Sequence, residues 1–239
     1  MQNLRIFIEY DGTDFYGWQY QPNARTVQGE IENALEQLLN AKIRIIGAGR
    51  TDHGVHAICQ VANFHTSSNL KLHQIKKGIN SLTEDDVYIK DIDVVDNDFH
   101  SRYSAKTKIY HYYIVLEPSP LKLRYNWFVK HKLNVTKMKK VIPYILGEHD
   151  FKLFSANNGK DNTVCTIYNM NLTEDNSHII IKIEGNRFLR KMVRGIVGFI
   201  HDVGRGRFSP GNVKEVFNSK IKDIYFAPSH GLCLVEVKY

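Results

Sequence analysis

The segment from Gly47 to Ala57, GAGRTDHGVHA, places a guanidinium and a carboxylate among three glycines. Glycine permits backbone turns that other residues resist, and loops on a rigid scaffold often carry catalytic groups. An isolated aspartate in such a loop is more often a turn or cap residue, but Arg50 lies only two positions before Asp52 and raises the odds of a chemical role. An ionised aspartate can act as a nucleophile or a base, and a nearby arginine favours the ionised form.

Further cations that could accompany Asp52 lie in a helix predicted over residues 186–203. Arg187, Lys191 and Arg194 are expected on one broad stripe of this helix, and a solvated basic face is the simpler interpretation. Gly195 and Gly198 would let another backbone approach the helix closely. Tyr110, on a predicted strand, is by position alone more often a packing residue than a catalytic one.

A metal site is the alternative chemistry that the histidines raise. His53 and His56 are three residues apart and His65 follows, but no acidic or thiol ligand accompanies them at metal-ligand spacing. Cys59, Cys165 and Cys233 are far apart and form neither a disulfide pattern nor a zinc motif. The GAGR run lacks the Gly-Lys-Ser/Thr of a phosphate loop. We therefore expect no metal site and no phosphate loop.

The bulk composition favours a polyanionic partner. The chain has 239 residues, a formal net charge of +7 and a sequence pI near 9.2. Such an excess suits nucleic acid first and an acidic membrane surface second, although a basic surface without a partner is equally compatible. The N-terminus enters a strand pattern directly, without a signal peptide or an apolar run that could span a bilayer. A cytoplasmic location is the default expectation.

The order of predicted elements indicates an α+β fold with a mostly antiparallel sheet. Residues 1–105 form a predicted N-terminal half carrying the Asp52 loop, and residues 106–239 a C-terminal half carrying the basic helix. Helices are predicted at 27–39, 72–81, 135–146, 186–203 and from 210 to about 218. Strands are predicted at 4–10, 43–46, 58–65, 87–94, 108–116, 126–129, 164–172, 178–184 and 231–237, with a polar loop over 147–162.

Seven segments, in the same order along nearly the whole chain, resemble the TruA family of tRNA pseudouridine synthases. The first contains Asp52 and matches the catalytic loop of that family. The others lie at residues 16–19, 99–105, 110–112, 147–151, 188–194 and 227–232. Seven matches in register make a chance resemblance implausible.

The resemblance implies a cofactor-free isomerase that acts on uridines 38, 39 and 40 in the anticodon arm of tRNA. It implies two similar α/β halves sharing a mostly antiparallel sheet with a central cleft, and a homodimer whose subunits both contact the RNA. Asp52 is then the nucleophile or base, Tyr110 stacks on the target base and is a candidate for removing the C5 proton, and Arg194 pairs with Asp52. The implied substrate-binding residues are Arg50, which helps to flip the nucleotide, and Tyr110, Arg102 and Phe188.

Two rival functions stay open from the sequence. One is a catalytically silent RNA-binding module on the same fold, which would have no need of Asp52, Tyr110 and Arg194 together. The other is a metal-dependent hydrolase using the histidines. Neither the order of bond breaking nor the preferred tRNA position can be derived from the residues.

Overall fold

The computed structural model describes residues 1–156, 162–175 and 177–239, which divide into two compact units. Unit 1 comprises Met1–Lys106 together with Leu234–Tyr239, and unit 2 comprises Thr107–Cys233. The end of the sequence therefore completes the unit in which the sequence begins. Within the described residues, no helix has both the length and the apolar character needed to cross a membrane.

Unit 1 combines mainly antiparallel strands with two helices. The elements are β1 (Gln2–Tyr10), α1 (Val27–Leu39), β2 (Ile46–Gly47), β3 (His56–Thr66), α2 (Leu72–Leu82), β4 (Val87–Val95) and β10 (Leu232–Lys238), the last entering unit 1 at Leu234. Its strands lie in the order β4-β1-β3-β10, and the short β2 pairs with β3. Helix α2 packs against α1 and β4.

Local sequence signals account for the first strand and helix of unit 1. Every second residue of β1, beginning with Leu4, is buried, which is the period-2 pattern of a strand with one face in the core. Helix α1 begins after Thr26, whose hydroxyl accepts a 3.2 Å hydrogen bond from the Gly29 amide. Ile31 and Leu35 are fully buried and four residues apart, so this face of α1 carries core side chains.

In its described residues, unit 2 contains mainly antiparallel strands and four α-helices. The elements are β5 (Thr107–Val115), β6 (Trp127–Phe128), α3 (Val135–Lys139), α4 (Ile142–Ile145), β7 (Gly147–Asp150), β8 (Val164–Glu174), β9 (His178–Gly185), α5 (Met192–Gly204) and α6 (Val213–Phe217), with short 3-10 helices at Lys152–Phe154, Pro210–Asn212 and Ser229–Gly231. Its strands lie in the order β5-β9-β8-β7, and the two-residue β6 pairs with β5 in the parallel direction. Helix α3 packs against α5.

Helix α5 is the most deeply buried helix of unit 2, and two glycines set how closely other backbone packs on it. A Cβ at Gly195 would lie 2.2 Å from the Phe154 carbonyl oxygen, and one at Gly198 would lie 1.8 Å from the Tyr225 carbonyl oxygen. Only glycine fits at such distances. The prediction that Gly195 and Gly198 allow a close backbone approach is confirmed.

The predicted α+β fold with a mostly antiparallel sheet is confirmed, as are most element positions. Five predictions were wrong in detail. The helix predicted from 210 to about 218 is a 3-10 helix at Pro210–Asn212 followed by α6. Only residue 46 of the strand predicted at 43–46 lies in a strand, the two-residue β2. The helix at 135–146 is divided into α3 and α4, with Pro143 in the first turn of α4. Residues 147–150 of the predicted loop form β7, which pairs with β8. Residues 157–161 of that loop lie outside the described residues.

The fifth correction concerns the predicted basic helix. Helix α5 begins at Met192 rather than at residue 186, because Lys191 precedes it in the left-handed region with φ 62°. Arg187 and Lys191 therefore lie outside the helix, and only Arg194 belongs to it. The expected single stripe of Arg187, Lys191 and Arg194 does not form.

Candidate active site

The loop carrying Asp52 is attached to β3 at its first residues. The Ala48 amide donates a 2.7 Å hydrogen bond to the Val61 carbonyl. The fully buried Gln60 side chain donates through Nε2 to the Gly49 carbonyl at 3.0 Å. Because both bonds go to a long strand of the sheet, the start of the loop is held in one position.

A second segment, residues 15–18, supports the same loop from the other side. The Trp18 amide donates to the Thr51 carbonyl at 3.1 Å, and the Gly54 amide donates to the Phe15 carbonyl at 3.4 Å. The Phe15 and Trp18 side chains are buried, at 0% and 2% exposure, and anchor the segment in the core. The backbone on both sides of Asp52 is thus bonded to a segment that is distant in sequence.

Close packing against the Asp52 loop requires glycine at two earlier positions of the chain. Gly17 has φ +91°, and a Cβ there would lie 2.6 Å from the Thr51 carbonyl oxygen. A Cβ at Gly12 would lie 2.0 Å from the Val55 carbonyl oxygen. The sequence analysis did not identify these glycines. The signal available was local composition, since Gly12 lies in the polar turn of residues 11–14 and Gly17 stands between Tyr16 and Trp18.

Hydroxyl and imidazole groups add further bonds around the loop. The Tyr10 and Thr51 hydroxyls lie 2.8 Å apart within the core. The Gly12 amide donates to Nδ1 of the buried His56 at 3.0 Å. His53 Nδ1 lies 2.7 Å from the Phe15 carbonyl. These groups fix the loop and are not themselves positioned as a reactive cluster.

Asp52 and Arg50 differ in environment. Asp52 is half-buried, at the start of a turn in which the Val55 amide donates to the Asp52 carbonyl at 3.2 Å. Arg50 is exposed and makes no ion pair with Asp52. The structure therefore removes Arg50 as a charge partner of Asp52 and leaves its guanidinium accessible to a ligand.

The segment 98–105, which carries Arg102, is anchored to unit 1 by buried amides. The Asn63 Oδ1 accepts from the Ser101 amide at 2.9 Å, and Asn63 Nδ2 donates to Asn3 Oδ1 at 2.9 Å. The Tyr239 hydroxyl donates to the Ser101 carbonyl at 2.9 Å. Sequence reasoning missed Asn3, Asn63 and Tyr239, although a fully buried asparagine on a strand needs partners and is a detectable signal.

Arg102 and Tyr103 project from this anchored segment. Both are exposed, and Tyr103 is 78% exposed. The Arg102 guanidinium lies 5.8 Å from the centre of the Tyr103 ring, and the His100 ring lies 4.3 Å from it. An exposed aromatic ring beside a guanidinium is the type of surface on which unpaired bases stack.

In unit 2, Tyr110 and Phe188 are brought together. Tyr110 lies on β5, is 6% exposed, and meets the Phe188 ring edge-on with centroids 5.1 Å apart. Phe188 itself lies after β9, beside Gly185, where a Cβ would come within 3.1 Å of the Phe188 ring. The neighbour Tyr112 is structural: its hydroxyl donates to the Pro228 carbonyl at 2.7 Å, and burial raises its pKa.

Arg194 lies in the first turn of α5 and is oriented by the segment around Ala227. Arg194 Nε donates to the Ala227 carbonyl at 2.7 Å, and the Ala227 amide donates to the Arg194 carbonyl at 3.0 Å. This reciprocal pair fixes the direction of the guanidinium.

The six sequence-predicted site residues thus fall into two groups. Asp52, Arg50 and Arg102 belong to unit 1, whereas Tyr110, Phe188 and Arg194 belong to unit 2. The histidines offered for a metal site do not converge, since His65 Nε2 lies 3.3 Å from the Asn97 carbonyl while His53 and His56 bond to the backbone of Phe15 and Gly12. Across the ranges 1–156, 162–175 and 177–239, no group of three or more His, Cys, Asp or Glu residues is arranged to hold a metal ion.

Comparison with known proteins gives one consistent result. A family model described as tRNA pseudouridine synthase matches residues 6–104 and 141–239, one stretch in each half of the chain. Proteins called tRNA pseudouridine synthase A are 44% identical in Fervidobacterium nodosum, 42% in Caldicellulosiruptor bescii and 39% in Thermoanaerobacter sp. (strain X514), each covering 100% of both chains. The solved archaeal box H/ACA sRNP Nop10-Cbf5 complex aligns with 83% of this chain and 43% of that chain at 10% identity and a TM-score of 0.41, too weak a likeness to carry an argument.

Proposed function

This chain belongs to the tRNA pseudouridine synthase family, and we propose that it isomerises uridine to pseudouridine at positions 38, 39 and 40 in the anticodon arm of tRNA. The observation that carries the proposal is the Asp52 loop. A half-buried carboxylate stands on a short loop that is bonded to β3 on one side and to residues 15–18 on the other. Such preorganisation is what a nucleophile or base needs.

The reaction is a rearrangement within one nucleotide. The bond between ribose C1′ and uracil N1 breaks, the uracil turns in the site, and a bond forms between C1′ and C5. The proton leaves C5, and N1 gains one, so that no atom is lost overall and no external oxidant or reductant is required. We assign Asp52 as the group that acts at the ribose or the uracil, either by a covalent adduct or through a glycal intermediate.

We assign Tyr110 and Arg194 as the partners of Asp52 from unit 2. The Tyr110 ring is fixed edge-on by Phe188, which suits a surface on which the target uracil stacks. Arg194 is oriented by its bond to Ala227, and a guanidinium next to Asp52 would keep that carboxylate ionised. In this scheme residues of both units serve one reaction.

The proposed RNA contacts are Arg50, Arg102, Tyr110 and Phe188. Chemistry on a base within a paired stem requires extrusion of the nucleotide, which costs a few kcal/mol. Arg50 is exposed and has no ion pair with Asp52, so it can occupy the space that the flipped nucleotide leaves. Arg102 stands beside the exposed Tyr103, and the formal charge of +7 suits a phosphate-rich ligand.

We further propose that the protein works in the cytoplasm as a homodimer that contacts the tRNA with both subunits, without a cofactor. The support for these points is the family membership and the resemblance of the seven sequence segments. A chelator challenge addresses the metal-dependent alternative, because activity lost to EDTA and restored by zinc would contradict a cofactor-free reaction.

The decisive experiment compares Asp52→Asn with the wild type on unmodified tRNA carrying tritium at uridine C5. Tritium release reports C5–H cleavage, and pseudouridine is then mapped by nucleotide position. We expect Asp52→Asn to abolish release while tRNA affinity stays within about severalfold, because the amide keeps the size but not the charge of the carboxylate. Asp85→Asn is the matched control, since Asp85 is exposed and makes no ion pair in the described structure.

The outcomes separate the candidate functions. Normal turnover by Asp52→Asn would remove Asp52 from the mechanism. A wild-type protein that binds tRNA but releases no tritium would instead be the silent RNA-binding module. Pseudouridine at positions other than 38, 39 and 40 would keep the activity and contradict the proposed target.

A further inference from the structure

A cavity of about 370 Å³ lies within unit 2 and is separate from the residues assigned to the reaction. Neither Tyr110, Phe188 nor Arg194 lines it. Its walls come from β6, the chain that follows β6, the end of α5 and the residues after α5. The volume falls within the range of about 300–1,000 Å³ that is typical of small-molecule sites.

Aromatic rings form one part of the wall. Trp127 and Tyr225 lie with ring centroids 5.8 Å apart, and the His201 ring lies 4.5 Å from that of Trp127. Trp127 is half-buried, so part of its indole ring packs against neighbouring residues and the rest is accessible to a ligand. Indole and phenol rings in a basic environment are the groups on which nucleic-acid bases stack.

Basic side chains form the other part of the cavity wall, and Arg205 keeps hydrogen-bond donors available. The buried Asp202, which lines the cavity, receives Arg207 Nη1 at 2.9 Å and Arg205 Nε at 3.2 Å, so the charge of this carboxylate is already neutralised. Arg205 uses only Nε, and its terminal nitrogens have no further partner in the described parts of the chain. A guanidinium held in this way presents two parallel donors, the geometry that fits a phosphate.

Lys130 and His131 complete the polar rim. Both are exposed, and Lys130 makes no ion pair within the residues that the structure describes. His131 Nε2 lies 3.0 Å from Nε2 of the buried His201. The pair supplies polar ring edges next to the aromatic wall, where a base or a ribose would find hydrogen-bond partners.

We propose that this cavity binds a nucleoside monophosphate unit, with the base against Trp127 and Tyr225 and the phosphate on Arg205 and Lys130. This ligand is either a free nucleotide or an unpaired nucleotide of an RNA. This site does not take part in the isomerisation, and its existence does not depend on Asp52.

Fluorescence of the full-length protein tests the proposal, because the chain has two tryptophans and only Trp127 lines the cavity. UMP, uridine and a short unstructured uridine oligonucleotide are titrated separately. We expect saturable quenching by UMP or by the oligonucleotide, and much weaker quenching by uridine, which lacks the phosphate. Quenching by UMP at millimolar concentration or below identifies a free-nucleotide site, and quenching by the oligonucleotide alone identifies an RNA contact.

Three variants assign the signal to the cavity. Trp127→Phe should remove the quenching while the buried Trp18 still reports on folding. Arg205→Ala should weaken the affinity at least about tenfold, since a charge-assisted contact is lost. Lys139→Ala removes one positive charge from an exposed position outside the cavity and should leave the affinity within about twofold.

Calorimetric titration of UMP and the oligonucleotide into wild type and Arg205→Ala provides a readout that does not need Trp127. The absence of saturable binding of both ligands to the wild type would overturn the proposal. So would equal quenching in Trp127→Phe, or an equal loss of affinity in Arg205→Ala and Lys139→Ala. Repeating the titration with Asp52→Asn should give the wild-type result, which keeps this test distinct from that of the isomerase.

Discussion

The backbone amide of Trp18 donates a 3.1 Å hydrogen bond to the carbonyl of Thr51, the residue directly before Asp52. This bond joins the Asp52 loop to a segment more than thirty positions earlier in the sequence. The approach is possible because Gly17 has no side chain to separate the two backbones. The geometry of the candidate nucleophile therefore depends on a glycine that never needs to touch the substrate.

Gly17→Ala should destabilise the fold by about 1–3 kcal/mol, since alanine would be strained at φ +91° and its Cβ would meet the Thr51 carbonyl. Urea unfolding of the purified variant measures this loss. Gly211→Ala is the control, because nothing lies within 4 Å of a Cβ at that position, and a change within about 0.5 kcal/mol is expected. Equal stability of the two variants would show that the contact between Gly17 and Thr51 is dispensable.

Arg50→Ala should lower turnover on tRNA at least about tenfold without changing the free energy of unfolding by more than about 0.5 kcal/mol. The reason is that Arg50 is exposed and makes no ion pair in the described structure, so its removal costs the protein little. Single-turnover kinetics and urea unfolding measure the two quantities. Lys42→Ala, at another exposed position of unit 1, should match the wild type in both. An unfolded Arg50→Ala protein would assign this arginine a structural role instead.

Tyr110→Phe tests whether the hydroxyl or only the ring is needed. The ring contact with Phe188 is kept, so tRNA affinity should stay within about severalfold. If the hydroxyl takes the C5 proton, tritium release should fall by about 10²–10⁴-fold, the range for general base catalysis. Tyr168→Phe, which removes a hydroxyl from an exposed strand position, serves as the control. Unchanged release would restrict Tyr110 to stacking.

Binding of tRNA should weaken steeply as salt increases. Each phosphate neutralised by Lys or Arg releases counterions, so the logarithm of the association constant falls linearly with the logarithm of the salt concentration. A filter-binding series across salt concentrations gives the slope. Affinity that does not change with salt would contradict a ligand held by the basic charge of +7.

Stability should decrease as the pH falls below the ordinary histidine value of about 6.5. Burial lowers the pKa of His201, so the unfolded chain binds the proton more readily than the folded one. The contribution of neutral His201 to the free energy of unfolding is therefore complete above pH 6.5 and is lost progressively at lower pH. His201→Gln should flatten this dependence in urea unfolding at successive pH values, whereas His73→Gln, at an exposed position, should retain the slope of the wild type.

Elements set by neighbouring residues were predictable from the sequence. Helix α1 has its N-cap, its apolar face and its end within one continuous segment, and the prediction of residues 27–39 was confirmed at both ends. The alternation of β1 likewise needs only residues that follow each other. In both cases the physical cause is local, and the pattern is therefore visible without the fold.

Elements decided by distant partners were not predictable. Residues 147–150 are polar and look like a loop, but Gly147 pairs with Ile167 and makes the segment a strand. Phe188 fits a helical apolar face, yet its ring packs on Tyr110 and the helix starts later. For the site, the glycine-rich loop drew attention to Asp52 and the family resemblance alone gave Tyr110 a role, and both assignments stay predictions. Gly12, Gly17 and Gln60 depend on close approaches that no single segment reveals.

The return of residues 234–239 to unit 1 sets an order of events during synthesis. The Lys106 amide bonds to the Lys238 carbonyl, and the Tyr239 hydroxyl holds the segment that carries Arg102. Domains generally fold as the ribosome releases them, beginning from the N-terminus. Here the strand that joins unit 1 last is translated after unit 2, so the bond from Tyr239 to the Arg102 segment forms later than the bonds from Asn3 and Asn63 can.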